Sequence, residues 1–388
     1  MSIEPQHPED STPELEKRPF FEATTGAKSR YGRFNLAILG GTGVGKSSLV
    51  NAVFERDIAK VGTGLPVTRG ANYYHDDSLG IWDLEGFELG AKLPLQLLEE
   101  SLDTIAARPA IEQISVVWYC VNAHAGRLQQ PEIDVIRELD RRGLPVIVVL
   151  TKVDWITNPV TGKRTPSFSA QEFCDWLRNP VDENAAQPID VPFQRFLLTS
   201  TLDRHGKAKG HGLGELVSET LELSPDNEKD AFRIAQRLNL PWKREMARKV
   251  VVVAAAAAAG VAAVPVPVAN AAVLAPLQLG MMGRIAVIYD LEIKTMLSAG
   301  ALAQLGVQFT GRALAGGLLA LIPGAGNVIN AGVAAALTGA TGEGWMRLCE
   351  QVYTGKIDLD AIDNVWGDFV PGFLDVMRKM AEQRIAKK

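Results

Sequence analysis

The chain has 388 residues, of which 47% are hydrophobic, and a formal net charge of −5. This length predicts more than one domain, the apolar content excludes a mainly disordered chain, and the negative charge makes nucleic acid an improbable main partner. Its three cysteines lie far apart, which is typical of a reducing compartment, so we expect a cytoplasmic protein with no disulfide framework. The acidic, proline-bearing segment 1–30 is expected to be a flexible arm rather than a secretion signal.

A phosphate-binding loop is predicted between a buried strand that begins near Leu36 and a helix that begins at Lys46. The stretch GGTGVGKS fits the pattern G-x-x-x-x-G-K-[ST], in which glycines let backbone N–H groups turn towards a polyphosphate. In this pattern the lysine reaches the β- and γ-phosphates, and the hydroxyl of Ser47 binds Mg²⁺. The predicted nucleotide contacts are the loop and the first helical turn: Gly41, Gly43, Val44, Gly45, Lys46, Ser47 and Ser48.

Two further segments are predicted to surround the γ-phosphate and the metal ion. A loop broken by glycines and a proline carries Thr68 in the stretch PVTRG, and we expect its hydroxyl to complete the Mg²⁺ shell, with Thr63 as the alternative. Two strands joined by a short turn follow, and the second ends in the stretch DLEG. Within DLEG, Asp83 can hold Mg²⁺ through water, and the N–H of Gly86 can approach the γ-phosphate.

The buried strand in VIVVLTKVD is predicted to end at the recognition site for the nucleotide base. The carboxylate of Asp154 can accept hydrogen bonds from the N1–H and the 2-amino group of guanine, which adenine cannot match. The aliphatic stem of Lys152 can lie over the base, and Thr151 completes the motif. After a long insertion and another strand, Ser200 and Thr201 occupy the place from which a backbone N–H would contact guanine O6.

These motifs, in this order, resemble those of the Era/septin-like group of translation-factor-class GTPases. The resemblance covers residues 31–224 and implies an α/β domain with a mixed six-stranded sheet, which binds GTP or GDP with Mg²⁺ and hydrolyses GTP. Within it, Lys46, Thr68 and Gly86 are the residues expected beside the transferred phosphate.

Two residues depart from the family pattern. Phe87 follows Gly86 where Ras-like enzymes have a glutamine that orients the attacking water, so we expect slow intrinsic hydrolysis. Gly43 stands where potassium-stimulated members have an asparagine, which argues against potassium activation. The form TGVGKS instead resembles septins and immunity-related GTPases, in which nucleotide domains pair. We therefore expect activation through a homodimer, with Arg69 as a candidate stabilising cation.

The composition changes after residue 224, and 225–388 is predicted to be an all-helical domain. Two uncharged runs, 250–283 and 313–342, each exceed the ~20 residues that a bilayer-crossing helix needs. Both are rich in alanine and glycine, and prolines are expected to split them: Pro265, Pro267, Pro276 and Pro323. Membrane insertion or peripheral lipid binding and a bundle of short helices away from the membrane are both compatible with this pattern. An amphipathic helix is predicted over 364–388.

The second half also resembles an Ala/Gly-rich helical family that follows bacterial GTPase domains, with PVPVAN and IPGAGNVINAG as the most similar stretches. This resemblance implies a helical fold and a bacterial source. The whole chain is expected to be a GTP-dependent switch that controls a helical effector domain at a membrane or in self-assembly. The alternative is a ribosome- or RNA-associated assembly GTPase, as many Era-like proteins are, although such a protein would need a basic RNA-binding appendage.

Overall fold

The computed structural model of the chain describes residues 18–55, 65–68, 71–84, 94–182, 187–201, 210–262, 269–291 and 327–357. The chain divides into two compact units. One is Arg30–Leu240, and the other combines the chain before Arg30 with the chain from Pro241 onwards.

Two sequence-based boundaries differ from this division. The expected flexible arm is wrong from Arg18 onwards, because helix α1 (Arg18–Tyr31) begins there and buries Phe20 and Ala27. The nucleotide-binding unit also continues beyond residue 224 to Leu240.

A mixed seven-stranded sheet is the centre of the first unit. Its strands are β1 (Phe34–Leu39), β2 (Leu65–Thr68), β3 (Ala71–His75), β4 (Leu79–Leu84), β5 (Val116–Asn122), β6 (Val146–Thr151) and β9 (Arg195–Leu198). The spatial order is β2-β3-β4-β1-β5-β6-β9, in which β4, β1, β5, β6 and β9 are parallel and β3 and β2 add antiparallel at one edge. The α/β class and the mixed sheet are confirmed, and the short edge strand β2 is additional to the six expected.

Helices cover this sheet, which explains why its parallel strands are almost continuously apolar. They are α2 (Lys46–Phe54), α3 (Pro94–Ala106), α4 (Gln130–Arg141), α5 (Phe168–Arg178), α6 (Leu213–Leu223) and α7 (Lys229–Ala235). Every residue of β1 and of β6 is buried. A two-stranded hairpin, β7 (Trp155–Thr157) and β8 (Arg164–Pro166), lies in the insertion between β6 and α5.

The short helix α7 belongs to the core of the first unit. The Phe232 ring meets the Phe34 ring edge-on, with 4.7 Å between centroids, and the Phe54 ring at 6.2 Å. Nearby, the hydroxyl of Ser115 hydrogen-bonds the carboxylate of Glu228, and burial raises the pKa of that carboxyl group. These contacts explain why the unit extends past the boundary that the composition indicated.

The described part of the second unit is helical, as the sequence indicated. Its long helices are α8 (Leu240–Ala262), α9 (Ala269–Ile288) and α10 (Asn327–Tyr353), and the N-terminal part of α1 packs against α9. Small residues allow close approach: a Cβ at Gly283 would lie 2.7 Å from the Phe20 carbonyl oxygen, and one at Gly342 would lie 2.7 Å from a methyl group of Val251. The Trp345 indole N–H donates to the Met282 carbonyl at 2.9 Å.

The expected break at Pro276 is wrong, because α9 continues through that residue. The proline removes one intrahelical hydrogen bond, and packing of α9 against α10 compensates through contacts such as Gln278 Nε2 to Thr338 Oγ1 at 3.2 Å. Pro265, Pro267, Pro323 and the predicted helix 364–388 lie outside the described residues. Across the described ranges, no helix combines the length and the apolar character needed to cross a membrane.

One lysine is fully buried in the helical unit. Lys243 Nζ donates to the Ile288 carbonyl at 3.2 Å, at the C-terminal end of α9, and lies 5.0 Å from the centre of the Tyr353 ring. A positive charge at a helix C-terminus complements the helix dipole, and the aromatic face adds a cation–π contact. The structure therefore explains this buried charge by its packing.

Candidate nucleotide-binding site

The loop from Gly40 to Gly45 connects β1 to α2 and has the backbone conformation of a phosphate cradle. Gly40, Gly43 and Gly45 have φ values of 132°, 73° and 108°, a range that disfavours residues with a side chain. Gly40 also approaches β5 so closely that a Cβ would lie 2.1 Å from the Cys120 carbonyl oxygen. No side chain caps α2 at Gly45, so the amides of its first turn are placed to meet an anion.

Lys46 and Thr151, the last residue of β6, hold this loop in shape. Lys46 Nζ donates to the Gly40 carbonyl at 2.8 Å and to the Gly41 carbonyl at 3.3 Å. The buried hydroxyl of Thr151 donates to the Val44 carbonyl at 2.6 Å. The structure thus places Thr151 against the phosphate loop, where it braces the backbone.

Lys152 crosses the loop from the side of the base motif. Its Nζ donates to the Gly43 carbonyl at 2.5 Å, and its stem lies 3.9 Å from the position of a Cβ on Gly45. The backbone of Lys152 has φ 55°, a left-handed conformation that is uncommon for a residue with a side chain. This strained turn directs the chain from β6 towards Asp154.

The predicted metal ligands Ser47 and Asp83 lie at the carboxyl ends of the parallel strands β1 and β4. Ser47 is exposed in the first turn of α2, and Asp83 is 9% exposed near the end of β4. Because Ile38 pairs with Asp83 in parallel register, the carboxylate lies beside the strand that leads into the phosphate loop. One hydroxyl and one carboxylate next to a phosphate cradle fit Mg²⁺, which takes oxygen ligands and shares them with a nucleotide.

The carboxylate that is predicted to recognise the base has a partner outside the sequence motifs. Asp154 is exposed after β6, and its Oδ2 lies 3.5 Å from His124 Nε2. His124 follows β5, the neighbour of β6 in the sheet. Its signal in the sequence is its position: a polar residue two positions after a buried strand, at the carboxyl end where site residues collect.

Ser200, which is predicted to lie near the base, pairs with His211, and His211 contacts the β7–β8 hairpin. The Ser200 N–H donates to the His211 carbonyl at 3.0 Å, so this amide is engaged within the protein and Thr201 supplies the next amide. The His211 ring lies 5.4 Å from the Trp155 ring, and its Nε2 contacts the Arg164 guanidinium. These contacts connect the insertion hairpin to the strand end after β9.

Several predicted site residues cannot be placed. Thr63, Arg69, Gly86 and Phe87 lie outside the described residues, as does the side chain of Thr68, whose backbone ends β2. The structure brings the remaining predicted residues to one edge of the sheet: the loop with Lys46, Ser47 and Ser48, Asp83, and the motif from Thr151 to Asp154.

Comparison with known proteins agrees with this geometry. Residues 35–152 match the family model described as 50S ribosome-binding GTPase. This part of the chain is a P-loop GTPase domain. The described phosphate loop, Asp83, Thr151 and Lys152 lie within the matched range, whereas Asp154 and the whole helical unit lie outside it.

Similar proteins include two named GTPase Der. The one from Desulforudis audaxviator (strain MP104C) is 29% identical over 160 residues, 40% of this chain and 34% of the relative. The one from Alkaliphilus metalliredigens (strain QYMF) is 27% identical over 199 residues, 50% of this chain and 37% of the relative. The chain thus spans about a third of the length of these relatives. A bacterial selenocysteine-specific elongation factor EF-Sec overlaps 50% of this chain and 30% of its own, with 17% identity and a TM-score of 0.28.

Proposed function

We propose that this protein binds GTP and hydrolyses it to GDP and phosphate, and that the nucleotide state controls the helical unit. The observation that carries the proposal is the connection between the two halves of the site, which are the phosphate loop and the TKVD motif. Thr151 and Lys152, which lead into the guanine-selective Asp154, hydrogen-bond the carbonyls of Val44 and Gly43 in the phosphate loop. A nucleotide that fills both halves therefore meets one continuous surface.

Each residue has a role that follows from its chemistry. The Lys46 ammonium and the amides that begin α2 stabilise negative charge on the phosphates, and Asp154 selects guanine. Ser47, Asp83 and Thr68 are the residues that would hold Mg²⁺, which when bound neutralises phosphate charge. Water attacks the γ-phosphorus, and the amide of Gly86 is proposed to steady the oxygens that become more negative.

Replacement of Asp154 tests the guanine assignment. Asp154→Asn presents an amide N–H where guanine needs an acceptor, so GDP should bind at least about tenfold more weakly, a loss of one charge-assisted hydrogen bond. Xanthosine diphosphate, which has an oxygen in place of the 2-amino group, should bind more tightly than it does to the wild type. Calorimetric titration of both nucleotides measures this exchange, and Asp182→Asn in the insertion is the control. Unchanged base preference would reject guanine recognition by Asp154.

The action of the helical unit is proposed to be at a membrane or in self-assembly. Flotation with anionic liposomes and light scattering, each in GDP and in a non-hydrolysable GTP analogue, separates the possibilities. A switch predicts that the analogue changes flotation or particle mass relative to GDP. Pairing of nucleotide domains, with Arg69 as the stabilising cation, would appear as a dimer in the analogue only. Identical behaviour in both nucleotides contradicts the switch.

The description of the matched family favours a second candidate, a GTPase that associates with the ribosome. The net charge of −5 makes a large basic RNA-binding surface improbable. Cosedimentation with ribosomal subunits in the GTP analogue at low salt, lost at higher salt, would support this candidate over a membrane role.

A further inference from the structure

His124 contacts the carboxylate that is assigned to guanine recognition, and it lies outside the TKVD motif. The two side chains are 48% and 61% exposed, so a bound base can reach the carboxylate while the histidine stays beside it. Their closest atoms, His124 Nε2 and Asp154 Oδ2, are 3.5 Å apart.

The backbone fixes the place of this histidine. β5 ends at Asn122, whose side-chain oxygen accepts a hydrogen bond from the His124 N–H at 3.0 Å. A single 3₁₀ turn, Ala123–Ala125, follows and ends at Gly126 in a left-handed conformation with φ 75°. Helix α5 packs against this turn. His124 is therefore placed by local hydrogen bonds and packing, independently of Asp154.

The chemistry of the carboxylate allows both partners at once. An ionised carboxylate offers about four acceptor sites on its two oxygens, and guanine uses two of them, one for N1–H and one for the 2-amino group. A ring N–H can use a third. We infer that His124 is a positioning residue that holds the Asp154 carboxylate in the orientation for this two-point contact. The inference rests on the proposed function and names a residue that orients the carboxylate to which base selectivity is assigned.

Orientation matters more for a two-point contact than for a one-point contact. An exposed carboxylate rotates, and a rotamer held before binding reduces the entropy lost on binding. Inosine diphosphate has N1–H but no 2-amino group, so it needs only one carboxylate oxygen. Loss of His124 should therefore weaken GDP more than inosine diphosphate.

The test measures the affinities of the full chain for GDP and for inosine diphosphate. His124→Ala should weaken GDP by roughly threefold, the size of effect that exposed charged pairs show, and should weaken inosine diphosphate less. His124→Gln restores a donor and should recover part of the GDP affinity. His75→Ala is the matched control. His75 is exposed and pairs with Gly80 near the start of β4, at the end of the strands opposite to the site.

A double-mutant comparison separates positioning from general damage. In the Asp154→Asn background, His124→Ala should cause no further loss, because the group it orients is absent. Equal weakening of both nucleotides, no effect on either, or a loss that persists in the Asp154→Asn background would overturn the role of His124. Failure of the wild type to bind GDP, or indifference of GDP to Asp154→Asn, would instead reject the proposed function, and the inference with it.

Discussion

At the scale of single residues, the phosphate loop depends on close backbone approach as much as on its lysine. Gly40 lies against the Cys120 carbonyl, and burial beneath the loop raises the pKa of the Cys120 thiol to about 12. That thiol stays protonated at neutral pH, so Cys120 contributes packing rather than reactivity. The loop and β5 therefore form one tightly packed region.

Gly40→Ala should destabilise the nucleotide-binding unit by about 3 kcal/mol, because the new methyl group collides with a backbone carbonyl and φ 132° disfavours alanine. Gly41→Ala is the matched control: its Cβ would make an ordinary 3.6 Å contact with Val44. Urea unfolding, followed by tryptophan fluorescence, measures both variants. If Gly40→Ala and Gly41→Ala were equally stable, the phosphate loop and β5 could move apart at little cost in free energy.

Loss of the Lys46 charge should affect binding rather than folding. Lys46→Ala removes two hydrogen bonds to loop carbonyls and the cation that we propose contacts the phosphates, so GDP affinity should fall by about 10–100-fold, the value of a charge-assisted hydrogen bond. Lys163→Ala, in the exposed β7–β8 hairpin, should leave affinity unchanged. Calorimetric titration measures the GDP affinity of the two variants. An equal loss in both would show that the phosphates do not bind beside Lys46.

At the scale of elements, sequence patterns predicted six strands of the sheet, since buried parallel strands are continuously apolar and glycines mark the loops, but not the edge strand β2 or the β7–β8 hairpin. The motifs GGTGVGKS and TKVD predicted the candidate site because each chemistry needs particular atoms at particular strand ends. His124 could not be found in this way, since its contact depends on which strands are neighbours. Helix α7 was predicted as part of the second half because its sequence is charged, although it also contains Phe232.

Helix α1 shows a second limit. Its sequence has no strong apolar face, and its burial depends on glycine-mediated contact with α9, which lies far away in the chain. Helix α9 continues through Pro276 for a related reason, since packing against α10 outweighs one lost hydrogen bond. Neither the local propensity nor the composition of these segments contains that information.

The contact between α1 and α9 gives a matched pair of substitutions. Gly283→Ala should destabilise the helical unit by about 2 kcal/mol, because the added methyl group would lie 2.7 Å from the Phe20 carbonyl oxygen. Gly339→Ala, inside α10, should stabilise the helical unit by about 1 kcal/mol. A Cβ at this position would have no described atom of another element within 4 Å, and alanine favours helices. Thermal unfolding followed by circular dichroism measures both. If both substitutions shifted the Tm in the same direction, the close contact between α1 and α9 would be contradicted.

At the scale of the whole molecule, the division into units predicts which fragments fold. A fragment of residues 30–240 should fold and bind GDP, because it contains the complete sheet and site. A fragment of residues 30–224 lacks α7, so Phe34 and Phe54 lose the Phe232 ring and the unit should lose about 3 kcal/mol of stability. Urea unfolding compares the two fragments, and equal midpoints would restore the boundary at residue 224.

The placement of α1 has a consequence for how the polypeptide is made. This helix is synthesised early, yet its partner α9 is completed only after the entire nucleotide-binding unit has been translated. In the nascent chain, the face of α1 that contains Phe20 therefore lacks its packing partner α9 while the GTPase domain folds. We expect the helical unit to close last, as a post-translational step whose rate is set by a contact between distant parts of the sequence.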